Sequence, residues 1–308
     1  MKVFFAEPYA TNSTAKLRTQ RGIEITTDIS ECEVLLIRSG TRVDETLLQK
    51  IPHLKLVVTA TSGFDHIDWR ACRSRNITVT YTPEANAGST AELTMFLVSA
   101  LVRKTLPQIE NVRKGKWREG LFRGESLEGK TLGIVGLGRV GARVAELARA
   151  YRMSLVGHDP YVSPEVFAKF AIERMSMIEV LKGSDIVTFH VPLTKETKYF
   201  INQATIAEMS ASYLVNASRG AVVDESEVLV ALRNNKLDGA AFDVMEREPP
   251  QVGNELLRHP KVIVTPHVGA FTLQAFERAS DAAVERVIQF NSGNPIPETL
   301  PLSVPWFE

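Results

Sequence analysis

The 308-residue sequence predicts an α/β protein of two domains, each a doubly wound, mostly parallel sheet. Three observations predict it. Short apolar runs alternate with helical patterns over the first hundred residues. The same alternation restarts at Thr131. Between the two lies a polar, glycine-bearing stretch without periodicity. The length is about twice that of an average domain. With 44% hydrophobic and 23% charged residues, the composition can fill and solvate two cores.

In the first module, KVFFA, EVLLIRS, LKLVVTAT and ITVTYT read as strands, with DETLLQKI and DWRACRSRN as helical segments between them. STAELTMFLVSALVRK follows as a long apolar helix, with Ser89 and Glu92 in S-x-x-E capping register. Its apolarity calls for burial or for a place at a domain or subunit junction. RKGKWREGLFRGESLEGK is the aperiodic connection to the second module. There TLGIVG, SLVGHD, DIVTFHV, SYLVNAS, GAAFDV and KVIVTPH read as strands. After the first of them, Val140, Val144, Leu147, Ala148 and Tyr151 form one stripe of an amphipathic helix. The last helix, LQAFERASDAAVERVIQF, precedes a proline-bearing tail, NSGNPIPETLPLSVPWFE, expected to pack back on the first module. The expected domains are therefore 1–100 completed by 286–308, with 101–285 inserted between them.

TLGIVGLGRVGARVAEL places Gly136, Gly138 and Gly141 in G-x-G-x-x-G register between a strand and a helix. Gly136 permits the tight turn, Gly138 lets backbone approach a pyrophosphate, and Gly141 lets helix and strand pack closely. SLVGHD ends at Asp159, 23 residues beyond Gly136, where an acid accepts hydrogen bonds from the adenosine ribose. Together they predict a Rossmann-type domain that binds a dinucleotide. An acid at that position repels a 2′-phosphate, which favours NAD(H) over NADP(H).

Composition excludes other classes. Lys plus Arg and Asp plus Glu balance at 36 each, which removes the electrostatic case for nucleic acid or an anionic membrane. The two cysteines, Cys32 and Cys72, form no pairing or zinc motif and read as buried fillers of a cytoplasmic protein; no metal is expected. The longest apolar run, LTMFLVSALV, has ten residues, too few to span a bilayer.

A hydride carrier leaves the protein to supply a substrate clamp and a proton carrier. Three strand ends of the second module offer them: Arg219 in LVNASRGAVVDE, Glu246 and Glu248 in FDVMEREPP, and His267 in VIVTPHVGA. In an open parallel sheet such ends face the ligand.

GLGRVG, HVPLT, NASRGAVVDE, FDVMEREPP and TPHVGA, in this order, resemble the D-isomer-specific 2-hydroxyacid dehydrogenase family over essentially the whole chain. The resemblance implies a flavodoxin-like substrate domain carrying the Rossmann insert. It implies Arg219, Glu248 and His267 as the catalytic residues, the acid next to the proline selecting Glu248 over Glu246. Arg219 would clamp the carboxylate and carbonyl of a 2-oxo acid, His267 would carry the proton, and Glu248 would raise the imidazole pKa.

It further implies that Ser62 and Gly63 of TATSGFDHID hold the substrate carboxylate. Arg139, Val140, Pro192, Ala217, Asp243 and Gly269 would join the glycines and Asp159 around NAD. In appearance the chain is similar to short D-3-phosphoglycerate dehydrogenases, with Arg38 as a basic substrate contact. Gly40 stands where some members carry a second arginine, and Thr59 offers no charge. Hydroxypyruvate or glyoxylate reduction and D-lactate formation are the alternatives, and an NAD-sensing dimeric corepressor is the alternative of a different class. A homodimer is implied, through the apolar helix from Ser89 and the KGKWREGLF arm.

Overall fold

Short apolar runs form the strands of two separate, wholly parallel sheets in the computed structural model, which describes residues 1–121, 123–304 and 307. The chain divides into one unit of Met1–Ala87 with Ala270–Glu308 and another of Gly88–Gly269.

The sheet of the first unit contains β1 (Lys2–Phe5), β2 (Glu24–Ile25), β3 (Val34–Ile37), β4 (Leu56–Thr59) and β5 (Thr78–Tyr81). Their order is β2-β1-β3-β4-β5, the flavodoxin-like arrangement. Successive residues of a strand point to opposite faces, so a strand covered on both sides is apolar throughout. β3 follows this rule. Val34 and Leu36 join a core closed by Ala279, Ala283, Val284 and Val287 of the helix Leu273–Asn291. Leu35 and Ile37 join the opposite core, which contains both cysteines. Cys32 and Cys72 are free thiols there, and burial pushes them up to about 12 and about 11. The tail returns to this sheet: Leu300 donates its amide to Val79 O at 2.9 Å, and Thr80 Oγ1 donates to Pro297 O at 2.8 Å.

The second unit contains β6 (Thr131–Val135), β7 (Ser154–His158), β8 (Glu173–Arg174), β9 (Ile186–Phe189), β10 (Tyr213–Asn216), β11 (Gly239–Phe242) and β12 (Val262–Val264). Their order is β12-β11-β10-β9-β6-β7-β8, with the reversal of winding between β6 and β9. Tyr213 and Val215 face a core with Leu97, Val98 and Leu101 of the helix Ala87–Val102, while Leu214 faces a second core around Phe189 and Phe242.

Several local expectations need correction. The helix starts at Ala87, so Ser89 lies inside its first turn and is not the N-cap of a capping box. In the helix Arg139–Ala150, Gly141, Val144, Ala145 and Ala148 are the buried face, while Tyr151 follows the helix and is exposed. The unit boundaries fall at 87/88 and 269/270 instead of 100/101 and 285/286. Each long helix sits with the sheet whose apolar face it covers, which its own sequence does not specify. In the connection, a helix covers Thr105–Arg113. Phe122 of the KGKWREGLF arm and residues 305, 306 and 308 of the tail lie outside the described residues. Among the described residues, no helix is long and apolar enough to cross a membrane.

Candidate active site

The carboxyl ends of β6, β7, β10, β11 and β12 carry the expected residues of the second unit. After β6, Gly136 adopts φ +91° and would place a Cβ 2.6 Å from His190 O, so only glycine makes this turn. A Cβ on Gly141 would stand 2.0 Å from Gly136 O, and the helix could not approach the strand. Gly138 has open space where its Cβ would lie. It is the N-cap of the helix Arg139–Ala150 and provides no capping side chain. An open backbone approach to the amino end of a 12-residue helix suits the pyrophosphate of NAD. Arg139 and Val140 begin that helix. Asp159 supports the same turn: its Oδ2 accepts from Leu137 N at 2.8 Å and its Oδ1 from Tyr161 N at 2.9 Å. Pro192, after β9, accepts from Thr197 Oγ1 through its carbonyl at 2.6 Å.

Beyond β10 the chain passes through buried Ala217 to Arg219, which is extended at the start of a 3₁₀ turn, Gly220–Val222. Asn216 shapes this corner. Its Nδ2 donates to Arg219 O at 2.9 Å, and its Oδ1 accepts from Ser218 N at 3.1 Å. Arg219 Nη1 donates to Ser218 O at 2.8 Å.

Beyond β11, Asp243 is 2% exposed, so its carboxylate requires partners. It finds them in the loop after β12: Oδ1 accepts from Thr265 Oγ1 at 2.6 Å and Val268 N at 2.9 Å, and Oδ2 from Gly269 N at 2.8 Å. A Cβ on Gly269 would lie 2.9 Å from that Oδ2, which explains the glycine. Asp243, expected beside NAD, therefore organises the turn that carries His267.

His267 itself adopts φ +54°, a left-handed conformation uncommon for a residue with a Cβ. Its amide is held by Asp243 O at 2.8 Å and Thr265 O at 3.0 Å. Its Nδ1 lies 2.7 Å from Glu248 Oε2. An ionised carboxylate only accepts, so Nδ1 carries a proton and Nε2 is the atom left for chemistry. The other oxygen of Glu248, Oε1, accepts from Met245 N at 3.0 Å.

The hydrogen bond to Glu248 is the largest influence on His267 and raises its pKa above the ordinary value. Burial and the Arg219 charge oppose it, while the Glu248 and Asp243 charges assist. For Glu248, burial acts most strongly and pushes upward. The hydrogen bonds from His267 and the Met245 amide, with the His267 and Arg219 charges, together outweigh it and hold the carboxyl below its ordinary value.

The stability this pair contributes has a defined pH window. The His267 share is complete below its ordinary 6.5 and is lost as pH rises through the raised native value. The Glu248 share is complete above its ordinary 4.5 and is lost as pH falls through the depressed one. A Glu248→Gln variant should therefore fall furthest below wild type in Tm between about 4.5 and 6.5. The gap should narrow as pH rises further. A gap independent of pH in thermal scans would remove the ion pair.

In the first unit, Arg38 follows β3, and Ser62 and Gly63 follow the adjacent β4. The Arg38 guanidinium stacks 4.7 Å from the Phe276 ring centroid, and its Nη1 is buried without a partner among the described residues. Ser62 Oγ donates to Pro83 O at 3.2 Å, and Gly63 O accepts from Thr61 Oγ1 at 2.6 Å. Glu7, which sequence reasoning missed, accepts the amides of Arg38 at 2.8 Å, Gly40 at 3.1 Å and Thr41 at 3.0 Å. A Cβ on Gly40 would stand 2.8 Å from Glu7 Oε2. Thr59 is buried in hydrogen bonds with Thr61 and His66. Arg42 is 82% exposed and 4.0 Å from Asp44. The three catalytic candidates thus belong to one unit and the substrate candidates to the other.

Residues 95–269 match the family described as D-isomer specific 2-hydroxyacid dehydrogenase, NAD binding domain. A D-3-phosphoglycerate dehydrogenase of Bacillus subtilis (strain 168) is 42% identical over 266 residues, 86% of this chain and 50% of that protein. The chain therefore spans half the length of this relative. Among solved structures, a protein from Thermus thermophilus superposes with a TM-score of 0.88 at 31% identity, covering 97% of this chain and 100% of that one. D-lactate dehydrogenase from Aquifex aeolicus, complexed with NAD and lactic acid, superposes with a TM-score of 0.83 at 29% identity over 96% of each chain.

Proposed function

The chain belongs to the D-isomer-specific 2-hydroxyacid dehydrogenase family, and from that premise we propose that it interconverts a D-2-hydroxy acid and its 2-oxo acid, with 3-phosphoglycerate and 3-phosphohydroxypyruvate as the pair. The observation that carries the reaction is the 2.7 Å contact between His267 Nδ1 and Glu248, at the strand ends of an NAD-binding domain. The phosphorylated pair is supported by the similarity to the Bacillus subtilis relative and by the unpartnered Nη1 of Arg38.

Bound NADH supplies the hydride that adds to C2 of the oxo acid. Arg219 binds the substrate carboxylate and carbonyl and orients C2. His267 delivers a proton from Nε2 to the carbonyl oxygen as the alcohol forms, and removes it in the reverse direction. Glu248 fixes the tautomer and stabilises the imidazolium. Gly136, Gly138 and Gly141 with Asp159 hold the dinucleotide, Asp159 selecting NAD(H). Ala217, Pro192, Arg139, Val140 and Gly269 line the same strand ends. In this reading the Gly88–Gly269 unit binds NAD, and the unit of Met1–Ala87 and Ala270–Glu308 binds the substrate through Arg38, Ser62 and Gly63.

One observation favours a second reading. Glu7 fills the amide cradle at Gly40, and Thr59 is neutral and buried, so the Arg38 loop suits an unphosphorylated 2-oxo acid as well. NADH oxidation against phosphohydroxypyruvate, hydroxypyruvate, glyoxylate and pyruvate separates the two. The highest kcat/KM is expected with phosphohydroxypyruvate. A preference for one of the others would reassign the substrate and keep the chemistry. Turnover of none, with NADH still bound, would favour a nucleotide-sensing binding protein.

The chain pairs as a homodimer in this reading. The helices Ala87–Val102 and Thr105–Arg113 expose Phe96, Leu106, Ile109 and Val112, and Trp117 follows at 68% exposure. Contiguous apolar exposure of this kind marks an interface. Light scattering should give twice the 34.1 kDa of one chain; a monomeric mass would overturn the dimer. The two free, buried cysteines accord with a cytoplasmic setting.

A further inference from the structure

Two acids of the recognised motifs have no part in the proposed chemistry: Glu225, which closes NASRGAVVDE, and Glu246, which competes with Glu248 in FDVMEREPP. The structure joins them. Glu246 donates its amide to Glu225 Oε1 at 2.5 Å, and Tyr199 OH donates to the Glu246 carboxylate. The preceding residue, Met245, donates its own amide to Glu248 Oε1 at 3.0 Å. The Met245–Glu246 peptide is packed against the turn after Arg219, since a Cβ on Gly220 would lie 2.0 Å from both Met245 C and Met245 O. The short segment bearing Glu248 is thus fixed at successive main-chain groups.

We propose that Glu225 is a positioning residue that, through the Glu246 amide, holds Glu248 against His267. The inference rests on the reading of His267 and Glu248 as proton carrier and partner. Glu246, Arg247 and Glu248 are exposed, so little packing keeps this loop in place and anchoring falls to hydrogen bonds. Glu225 lies in the first turn of the helix Glu225–Arg233, a rigid element rooted in the core by Val228 and Leu232. A loop amide bound to it inherits the register of that helix.

The electrostatic setting is consistent with the assignment. Burial, then the Glu246 and Asp224 charges, raise the Glu225 pKa, while the Glu246 amide and the Asn254 side chain favour its carboxylate. The hydrogen bond to Glu246 pushes Tyr199 up to about 12, so its hydroxyl stays a donor throughout the working pH range. Around His267 the charged groups are Glu248, Arg219 and Asp243, none of which is altered by a substitution at Glu225.

The test is an NMR titration of the His267 imidazole in the intact chain, which needs neither substrate nor cofactor. Glu248→Gln provides the reference and should lower the midpoint. Glu225→Ala should lower it in the same direction, by about half a pH unit or more, as the hydrogen bond to Glu248 loosens. Glu225→Gln keeps a carbonyl oxygen for the Glu246 amide and should restore the wild-type midpoint. A folded Glu225→Ala protein with an unchanged midpoint would overturn the proposal, whatever its Tm. If Glu225→Ala does not fold, Tyr199→Phe decides: it releases the other hold on Glu246, and an unchanged midpoint overturns the proposal equally. An unchanged midpoint in Glu248→Gln would overturn the His267–Glu248 reading itself, and the inference with it.

Discussion

Replacing His267 with alanine is expected to lower kcat for oxo-acid reduction by about 10²–10⁴-fold, the range for loss of a general acid. NADH affinity should change little, because the glycine turn at Gly136–Gly141 uses no atom of the imidazole. Stopped-flow turnover with fluorescence titration of NADH separates the two effects. In the wild-type enzyme the reduction rate should hold level at low pH and fall as pH rises through the raised His267 pKa, since the donor is the protonated ring. The oxidation rate should follow the opposite course. Near-normal turnover of His267→Ala would remove this residue from the mechanism.

Arg219→Lys is expected to lower kcat/KM for the oxo acid by about 10²–10³-fold, the cost of losing an oriented donor to the reacting carbonyl. The charge survives in this variant, but the planar fork that matches a carboxylate does not. Misorientation of C2 should appear in kcat as well as KM. Arg219→Ala gives an additional sign test. The arginine charge lowers the His267 pKa, so its removal should raise the imidazole midpoint, whereas Glu248→Gln should lower it. Steady-state kinetics and the histidine titration therefore report separate functions of one side chain. Wild-type kcat/KM in the lysine variant would reduce Arg219 to a local structural residue.

Sequence reading reached different depths in different parts of this chain. Long apolar runs such as VLLI at β3 and TLGIV at β6 are visible because burial on both faces leaves no polar positions. The edge strands β2 and β8 have two residues each, Glu24–Ile25 and Glu173–Arg174, too few to form a pattern. The glycine turn was legible because steric exclusion at Gly136 and Gly141 acts between near neighbours. Asn216 was missed, although an amide ending the run YLVN on a buried strand had to find partners. The second role of Asp243 depends on Thr265, Val268 and Gly269, more than twenty positions away, and no local signal encodes it. Glu7 is similar: its partners, Arg38, Gly40 and Thr41, follow a strand two places later in the chain. The unit boundaries at 87/88 and 269/270 depend on which sheet each long helix covers, a choice made in three dimensions.

The left-handed backbone at His267 bears on how this protein can evolve. A residue with a Cβ costs about 1–3 kcal/mol in such a conformation, while glycine avoids this cost and asparagine tolerates the geometry. Drift from histidine to either one would abolish proton transfer without opposition from the fold. Selection for turnover alone keeps the imidazole in place. A descendant freed from that selection could discard catalysis while keeping its dinucleotide pocket intact, and so turn from an enzyme into a receptor in a single codon change.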